Sequence, residues 1–240
     1  MKKYAAGMLA GTLCAFALPA QAAPGLGQEI YSADVEQGEL EGEARWGRLA
    51  GGEDGGKEAL FLEIAYGVSQ SLRFSISGEW EKEPGQTRDA EAVGFEALYA
   101  ISEAGGFAFA VLGEYEVVFD GTDQMEAMLI MQRDSGPLDI RFNVIAEKEL
   151  AGGEPVEFEY GVSADIAAFG EVRVGAEAFG ELGTTKDFLP RAEHFAGPAA
   201  KFGIEGLGPE LEVGVGYLFA LGEAKDETDG MLRIGLDMEF

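Results

Sequence analysis

Apolar and polar residues alternate along most of this chain, which predicts β-strands with two unlike faces. The final stretch, "GMLRIGLDMEF", is typical, because every second residue is large and apolar: Leu232, Ile234, Leu236, Met238 and Phe240. The same alternation recurs in about twelve segments from "GELEGEARW" to the C-terminus. Each segment is long enough to cross a bilayer as a tilted strand of roughly 9–11 residues.

The connectors between these segments alternate in length. "SQS", "SEAGG", "DSGP" and "AAFG" are short, whereas "LAGGEDGGK", "KEPGQTRDA" and "LGTTKDFLPRAEHFAGP" are longer and more polar. Short turns on one side and longer loops on the other are typical of outer-membrane barrels. The sequence therefore predicts an all-β protein, a transmembrane antiparallel up-and-down β-barrel of about twelve strands over residues 34–240.

A soluble sandwich or a lipocalin-like barrel is the alternative, since these folds bury the apolar face and expose the polar one. Aromatic residues favour the membrane barrel, because they fall near both ends of the strands and would form two girdles around an aliphatic band. Those near the longer loops are Trp46, Trp80, Phe119, Phe158, Tyr217 and Phe219, and those near the short turns are Tyr66, Phe74, Tyr99, Phe107 and Phe240.

The N-terminus has the features of a secretory signal peptide. Two lysines precede an apolar stretch, and "AQA" offers a small-residue cleavage site after Ala22. We expect residues 1–22 to be the signal and residues 23–33 to be a short periplasmic segment. The only cysteine, Cys14, lies in the signal, and the residue before it is Leu13, which disfavours a lipoprotein signal.

The chain is strongly acidic, with 44 Asp and Glu against 17 Lys and Arg and a formal net charge of −27. This charge argues against a nucleic-acid partner, because the phosphate backbone would be repelled. A hydrophobic fraction of 47% argues against disorder.

Several stretches resemble a known family. These are "AYGVSQSLRF", "QMEAMLIMQRDSGPLDIRFNVIAEKEL", "EHFAGP", "VGYLFALGEAKDETDG" and the terminal "LDMEF". They look like a group of proteobacterial outer-membrane proteins related to the phenol-degradation meta-pathway (MetA-pathway) barrel family. The resemblance implies a barrel for the passage of small organic compounds, and it implies no catalytic residues.

If the apolar face meets lipid, the acidic face lines the lumen. Arg73, Arg141 and Arg173 each begin a strand after a short turn, so we expect them at similar depth near the periplasmic end. There they would pair with nearby acids, either as a bracing salt-bridge layer or as a constriction. The candidate residues for the pore lining or constriction are Arg73, Arg141, Arg173, Asp139, Asp165, Glu63, Glu96 and Glu205.

The sequence favours no enzyme, cofactor or metal site. The only histidine, His194, lies in the predicted loop 182–197, away from the serines of the strands, so a serine–histidine pairing is not expected. The acidic loop stretches "DGTD" and "KDETDG" lack the spacing of a calcium loop.

We therefore expect a bacterial outer-membrane channel for small solutes with a preference for cations. The alternative is a closed structural barrel whose acidic loops bind divalent cations, lipopolysaccharide or a protein. Expected partners are outer-membrane lipids, lipopolysaccharide and the outer-membrane assembly machinery. By resemblance to outer-membrane proteins in general, the terminal residues Leu236, Met238 and Phe240 form the assembly signal.

Overall fold

The computed structural model describes residues 23–204, 206 and 209–240, and these form a closed barrel of twelve antiparallel strands. Each strand pairs with its neighbours in the chain, and the last strand pairs with the first. The predicted fold and strand number are confirmed. Residues 1–22, the predicted signal, lie outside the described residues. The strands are β1 (Leu40–Ala50), β2 (Glu58–Ser69), β3 (Leu72–Lys82), β4 (Asp89–Ala104), β5 (Phe107–Val118), β6 (Gln124–Ser135), β7 (Leu138–Glu149), β8 (Glu157–Phe169), β9 (Val172–Thr184), β10 (Glu193–Ile204), β11 (Glu210–Gly222) and β12 (Gly230–Glu239).

The two ends of the barrel differ in their connections. At one end, here called the turn end, only two residues separate β4 from β5, and two separate β6 from β7. Gly105 and Gly106 have φ values of 64° and 80°, the left-handed conformation that a tight hairpin turn requires. The opposite end, here called the loop end, carries the longer connections, and a short 3-10 helix, Glu223–Asp226, lies in the last of them.

The outer surface of the barrel is apolar and the inner surface is rich in polar groups. On β2, Ile64 is 66% exposed, whereas the adjacent Glu63 is 5% exposed. A soluble protein would show the reverse, so the outward face suits a lipid environment. No helix among the described residues is both long and apolar enough to span a membrane.

The C-terminus completes the closure. The backbone N–H of Phe240 donates to the carbonyl of Leu40 at 2.9 Å, and the N–H of Leu40 donates to the carbonyl of Phe240 at 3.3 Å. The Phe240 side chain is 65% exposed on the outside. Pairing of β12 with β1 removes the open edge that an alternating terminal strand would otherwise leave.

The structure changes two local expectations. The first strand begins at Leu40, within the first predicted segment "GELEGEARW". Residues 23–33, expected as a periplasmic segment, lie outside the strands but are packed within the barrel, because apolar inner positions there bury them. The loop predicted over residues 182–197 is shorter, because β9 extends to Thr184 and β10 begins at Glu193. His194 therefore lies in a strand, opposite Gly180.

Candidate functional site

The lumen is occupied by the chain's own N-terminal residues. Residues 24–37, here called the lumen segment, run from the loop end, where Leu26 packs, to the turn end. At the turn end the backbone N–H of Gly38 donates to the carbonyl of Gly67 at 2.7 Å, just before β1 begins. The segment thus crosses the barrel interior and then reverses direction into the first strand.

Barrel side chains bind the backbone of the lumen segment. The Asn143 amide accepts from the N–H of Tyr31 at 2.6 Å and donates to its carbonyl at 3.2 Å. Gln132 accepts from the N–H of Ala33 at 2.9 Å. Arg233 donates to the carbonyls of Gly25 and Gln28. These bonds satisfy backbone groups that no sheet pairs, which a buried segment needs.

Two apolar clusters hold the same segment. Near the loop end, Leu26 packs among inward-facing residues that are almost completely buried. This loop-end cluster also contains Ile30, Leu49, Ala59, Phe179, Phe195, Leu218, Ala220, Ala224 and Met231. Deeper in the barrel, Tyr31 and Ala33 cover an apolar patch of the wall formed by Leu98, Ala110, Leu112, Met128, Ile130 and Ile145. The lumen is therefore filled by apolar packing at the level of Leu26.

A row of carboxylates follows the inner wall across five strands. Glu96 lies opposite Glu114, which lies opposite Glu126; Glu126 lies opposite Glu147, and Glu147 lies opposite Glu157. Like charges directly across a ladder are destabilising. The lumen segment supplies one donor to this row, since the Tyr31 hydroxyl donates to Glu96 Oε2 at 3.1 Å.

Tyr31 remains a neutral donor at this position. Burial, with the neighbouring Glu96 and Glu63 carboxylates as further causes, raises the pKa of its phenol well above the usual value. The hydroxyl therefore keeps its proton and can continue to donate to Glu96.

Arg45 forms the centre of a second group of acids. Its guanidinium lies 3.2 Å from Glu29 of the lumen segment, 3.4 Å from Glu43 and 3.9 Å from Glu63. It also stacks over the Phe61 ring at 4.0 Å. Oxygens of the three carboxylates lie within 4.8 Å of one another, close enough to hold a metal ion. Arg45 already neutralises part of this charge and ties the segment to β1 and β2.

The three arginines predicted from sequence all form ion pairs near the turn end. Arg141 contacts Asp139 at 2.9 Å, and Arg173 contacts Asp165. Arg73 instead contacts Glu41 of β1 at 2.7 Å. The predicted pairing of these arginines with nearby acids is thus present near the turn end.

Two of the remaining candidates, Glu63 and Glu96, are not part of these ion pairs. Glu63 and Glu96 are buried on the inner face further from the turn end. Glu205 lies outside the described residues.

A charged cavity of about 800 Å³ lies beside the lumen segment. Its wall comes mainly from β1 and β10–β12, and it extends to the turn end, where Glu39, Glu210 and Glu239 line it. Arg73 and Arg141, two of the predicted residues, also line it. Burial is the main cause that raises the pKa of Glu39 above its usual value, with the neighbouring Glu36 and Glu41 adding to the effect.

Sequence reasoning missed the lumen segment and the residues that bind it. A signal for them exists in the inner face of β4–β7, where Leu98, Leu112, Met128 and Ile145 interrupt the acidic pattern. Apolar residues on a water-filled wall would be unfavourable, so they indicate that something apolar covers them.

No family model matches this chain, and no curated protein matches it. The barrel is similar to a solved structure of the KdgM porin, with a TM-score of 0.57, 11% identity, and coverage of 83% of this chain and 99% of that one. A second structure, "KdgM porin in complex with disordered oligogalacturonate", gives a TM-score of 0.56 at 9% identity, covering 84% and 98%. The outer membrane protein Omp33 of Acinetobacter baumannii gives a TM-score of 0.43 at 13% identity, covering 87% and 99%.

These identities are too low to carry a shared substrate or activity. The resemblance to the phenol-degradation meta-pathway family is not confirmed by the comparisons. What they show is that this chain has the fold of porin-like outer-membrane β-barrels.

Proposed function

We propose that this protein is an outer-membrane β-barrel that acts as a passive channel for small solutes, and that the lumen segment is the plug that closes it. The observation that carries the proposal is the charged cavity of about 800 Å³ beside the segment. A barrel that served only as a scaffold would not need an unfilled, charged space along its wall.

The lumen segment suits a displaceable plug because side chains, and not a sheet, hold its backbone. Asn143, Gln132 and Arg233 provide those hydrogen bonds. A segment paired as a strand would have to break a whole ladder to move. This one would exchange a few side-chain hydrogen bonds for bonds to water and would give up its packing in the two apolar clusters. Its displacement would join the cavity to the loop end.

Cation preference is supported by the residues around the cavity. Twelve carboxylates and five basic side chains line it. The basic residues are Arg45, Arg73, Arg141, Lys201 and Arg233. Even with every basic group paired, the surplus of acids leaves a negative field that attracts cations and repels anions.

The proposal is tested by planar-bilayer recording of the wild-type chain and of a variant lacking residues 24–36. We expect small or intermittent conductance for the wild type and a larger, steady conductance for the deletion. The reversal potential across a potassium chloride gradient should show cation selectivity, and it should weaken at high salt because the Debye length falls from about 10 Å at 0.1 M to about 3 Å at 1 M. An anion-selective potential would overturn the cation preference.

The alternative is a closed structural barrel whose loops bind lipopolysaccharide or another partner. The loop-end cluster favours this alternative, because its side chains close the lumen by apolar packing. Four of them have no exposed surface: Phe179, Phe195, Leu218 and Met231. If the deletion variant folds as a barrel and conducts no more than the wild type, the channel proposal fails and this alternative stands.

Passage of small organic compounds, which the family resemblance implies, is a finer part of the same proposal. It is tested by swelling of proteoliposomes in solutions of neutral, cationic and anionic organic solutes of similar size. Faster entry of the cationic solute would support the acidic lining as the selective element.

A further inference from the structure

Three basic side chains meet on the outer surface of the barrel at the loop end. Arg48 on β1 lies opposite Glu58 on β2, which in turn lies opposite Lys82 on β3. This row faces outward, because Glu58 is an even number of residues before Ile64, which is 66% exposed. Arg88, one residue before β4, reaches the same carboxylate. Arg48, Lys82 and Arg88, with Glu58 between them, are here called the outer basic cluster.

Glu58 holds the three cations together. Lys82 donates to its Oε1 at 3.0 Å, and Arg88 donates to its Oε2 at 2.8 Å. Arg48 lies 3.8 Å from Oε1. The carboxylate is enclosed by these contacts, since Glu58 is only 7% exposed. The cations themselves remain accessible, because their side chains are 53% exposed for Arg48, 34% for Lys82 and 33% for Arg88.

The outer basic cluster carries a surplus of positive charge in a chain whose formal net charge is −27. Three cations share one carboxylate, and among the described residues none of the three forms an ion pair with another acid. Each arginine has five N–H donors, of which Glu58 accepts only a few. Cations grouped this closely repel one another, so the arrangement favours an anion that supplies the missing charge.

The level of the cluster along the strands indicates which anion reaches it. The next row toward the middle of the barrel consists of Trp46, Leu60 and Trp80, which lie opposite one another on β1, β2 and β3. Tryptophan is enriched where lipid head groups meet the hydrocarbon. The cluster lies one row further out, about 7 Å along the strands. It therefore lies at the level of the lipid head groups.

We propose that the outer basic cluster binds a phosphate group of lipid A, the phosphorylated glycolipid that anchors lipopolysaccharide. Arginine binds phosphate through two parallel N–H donors, and lysine adds a point charge. A phosphate monoester carries about −1.5 to −2 charges at pH 7, which balances the surplus of the cluster. The longer loops of outer-membrane barrels lie on the cell exterior, so the loop end meets the leaflet that contains lipopolysaccharide.

The wall beside the cluster suits the acyl chains of the same lipid. Leu60, Leu62 and Ile64 continue the outward row of β2 below Glu58, and the last two are 41% and 66% exposed. Acyl chains that cover them would leave the phosphate at the cluster. The proposal rests on the outer-membrane barrel of the proposed function, but it is independent of conduction and of the lumen segment.

The test titrates the full chain, refolded in a nonionic detergent, with diphosphorylated lipid A and counts bound lipid by native mass spectrometry. The fluorescence of Trp46 and Trp80, the chain's two tryptophans, reports binding beside the cluster. We expect one tightly bound lipid A per chain, with weaker binding at high salt. A double variant, Lys82→Gln with Arg88→Gln, should bind lipid A about tenfold more weakly or worse, since loss of one charge-assisted hydrogen bond can cost that much.

Lys148→Gln is the matched control. Lys148 also lies on the outer surface at the loop end, opposite Met125, which is 51% exposed. Its ammonium donates to the carbonyl of Glu154 at 2.6 Å and is not part of the cluster. The control should bind lipid A like the wild type. Arg88→Gln alone changes only a loop residue, so it keeps the test valid if the double variant does not fold.

Two further probes separate the phosphate of lipid A from its other parts. Lipid A from which a phosphatase has removed both phosphates should bind about tenfold more weakly or worse. Inorganic phosphate at the same concentration as lipid A should not displace it, because phosphate alone lacks the acyl chains. The proposal is overturned if the wild type binds no lipid A, if the dephosphorylated lipid or the double variant binds as tightly as the intact pair, if the control loses as much affinity as the double variant, or if inorganic phosphate displaces the lipid.

Discussion

Asn143, on the inner face of β7, binds both backbone groups of Tyr31, a residue 112 positions earlier in the chain. The asparagine is 0% exposed. Its side-chain amide offers one acceptor and two donors, and here it replaces the partner that a neighbouring strand would provide. This contact fixes the depth of the lumen segment in the barrel.

Replacing Asn143 by alanine should loosen the lumen segment without opening the barrel wall. The N–H and carbonyl of Tyr31 would lose their partner, at a cost of about 1–3 kcal/mol for each group left unsatisfied. We expect faster cleavage after Glu29 and Glu36 by a glutamate-specific protease, measured by mass spectrometry. Ser163→Ala on β8, also buried but forming no hydrogen bond with the segment among the described residues, is the control and should be cleaved at the wild-type rate.

A disulfide between the lumen segment and the wall should lock the plug. A Cβ built at Gly27 lies 3.2 Å from Cβ of Ala59, near the separation that disulfides adopt. Gly27 has a φ of 87°, so the cysteine there carries some backbone strain. The Gly27→Cys, Ala59→Cys double variant should conduct less when oxidised than when reduced, in planar-bilayer recordings.

Each single cysteine variant is the control for this lock and should not respond to reductant. Equal conductance of the oxidised and reduced double variant, with the disulfide verified by mass spectrometry, would show that movement of the segment is not needed for conduction.

Removal of Met238, Glu239 and Phe240 should lower the yield of inserted barrel. The backbone of Phe240 bonds to Leu40 in both directions, so the deletion shortens the closing contact between β12 and β1. Deletion of residues 151–153 from the β7–β8 loop removes the same number of residues away from any strand. The measurement is the amount of each chain in the outer-membrane fraction, and equal amounts would mean that the terminus carries no assembly information.

The folded chain should migrate differently from the boiled chain on a detergent gel. Every strand has two hydrogen-bonded neighbours, so no edge is available where unfolding could begin. The apolar outer face should also bring the protein into the outer-membrane fraction. Recovery of the intact chain as a soluble periplasmic monomer would contradict both expectations.

The sequence by itself determined the barrel, because the side-chain period of two records which residues face lipid. Ile64 and Glu63 show this directly, since adjacent letters in the chain have opposite exposure. The alternation of short and long connectors likewise determined the order of the strands, since antiparallel neighbours need only a turn.

The contents of the lumen were decided only by the tertiary structure. The lumen segment has no strand periodicity, and its partners Asn143, Gln132 and Arg233 lie on strands that are about 100 residues or more from it in the chain. The same holds for the glutamate row, since each pairing depends on the register between strands. The alternation of apolar and polar residues predicts which face of the sheet a side chain takes. Which side chains then meet inside the barrel is determined only by the register between strands and by closure of the barrel.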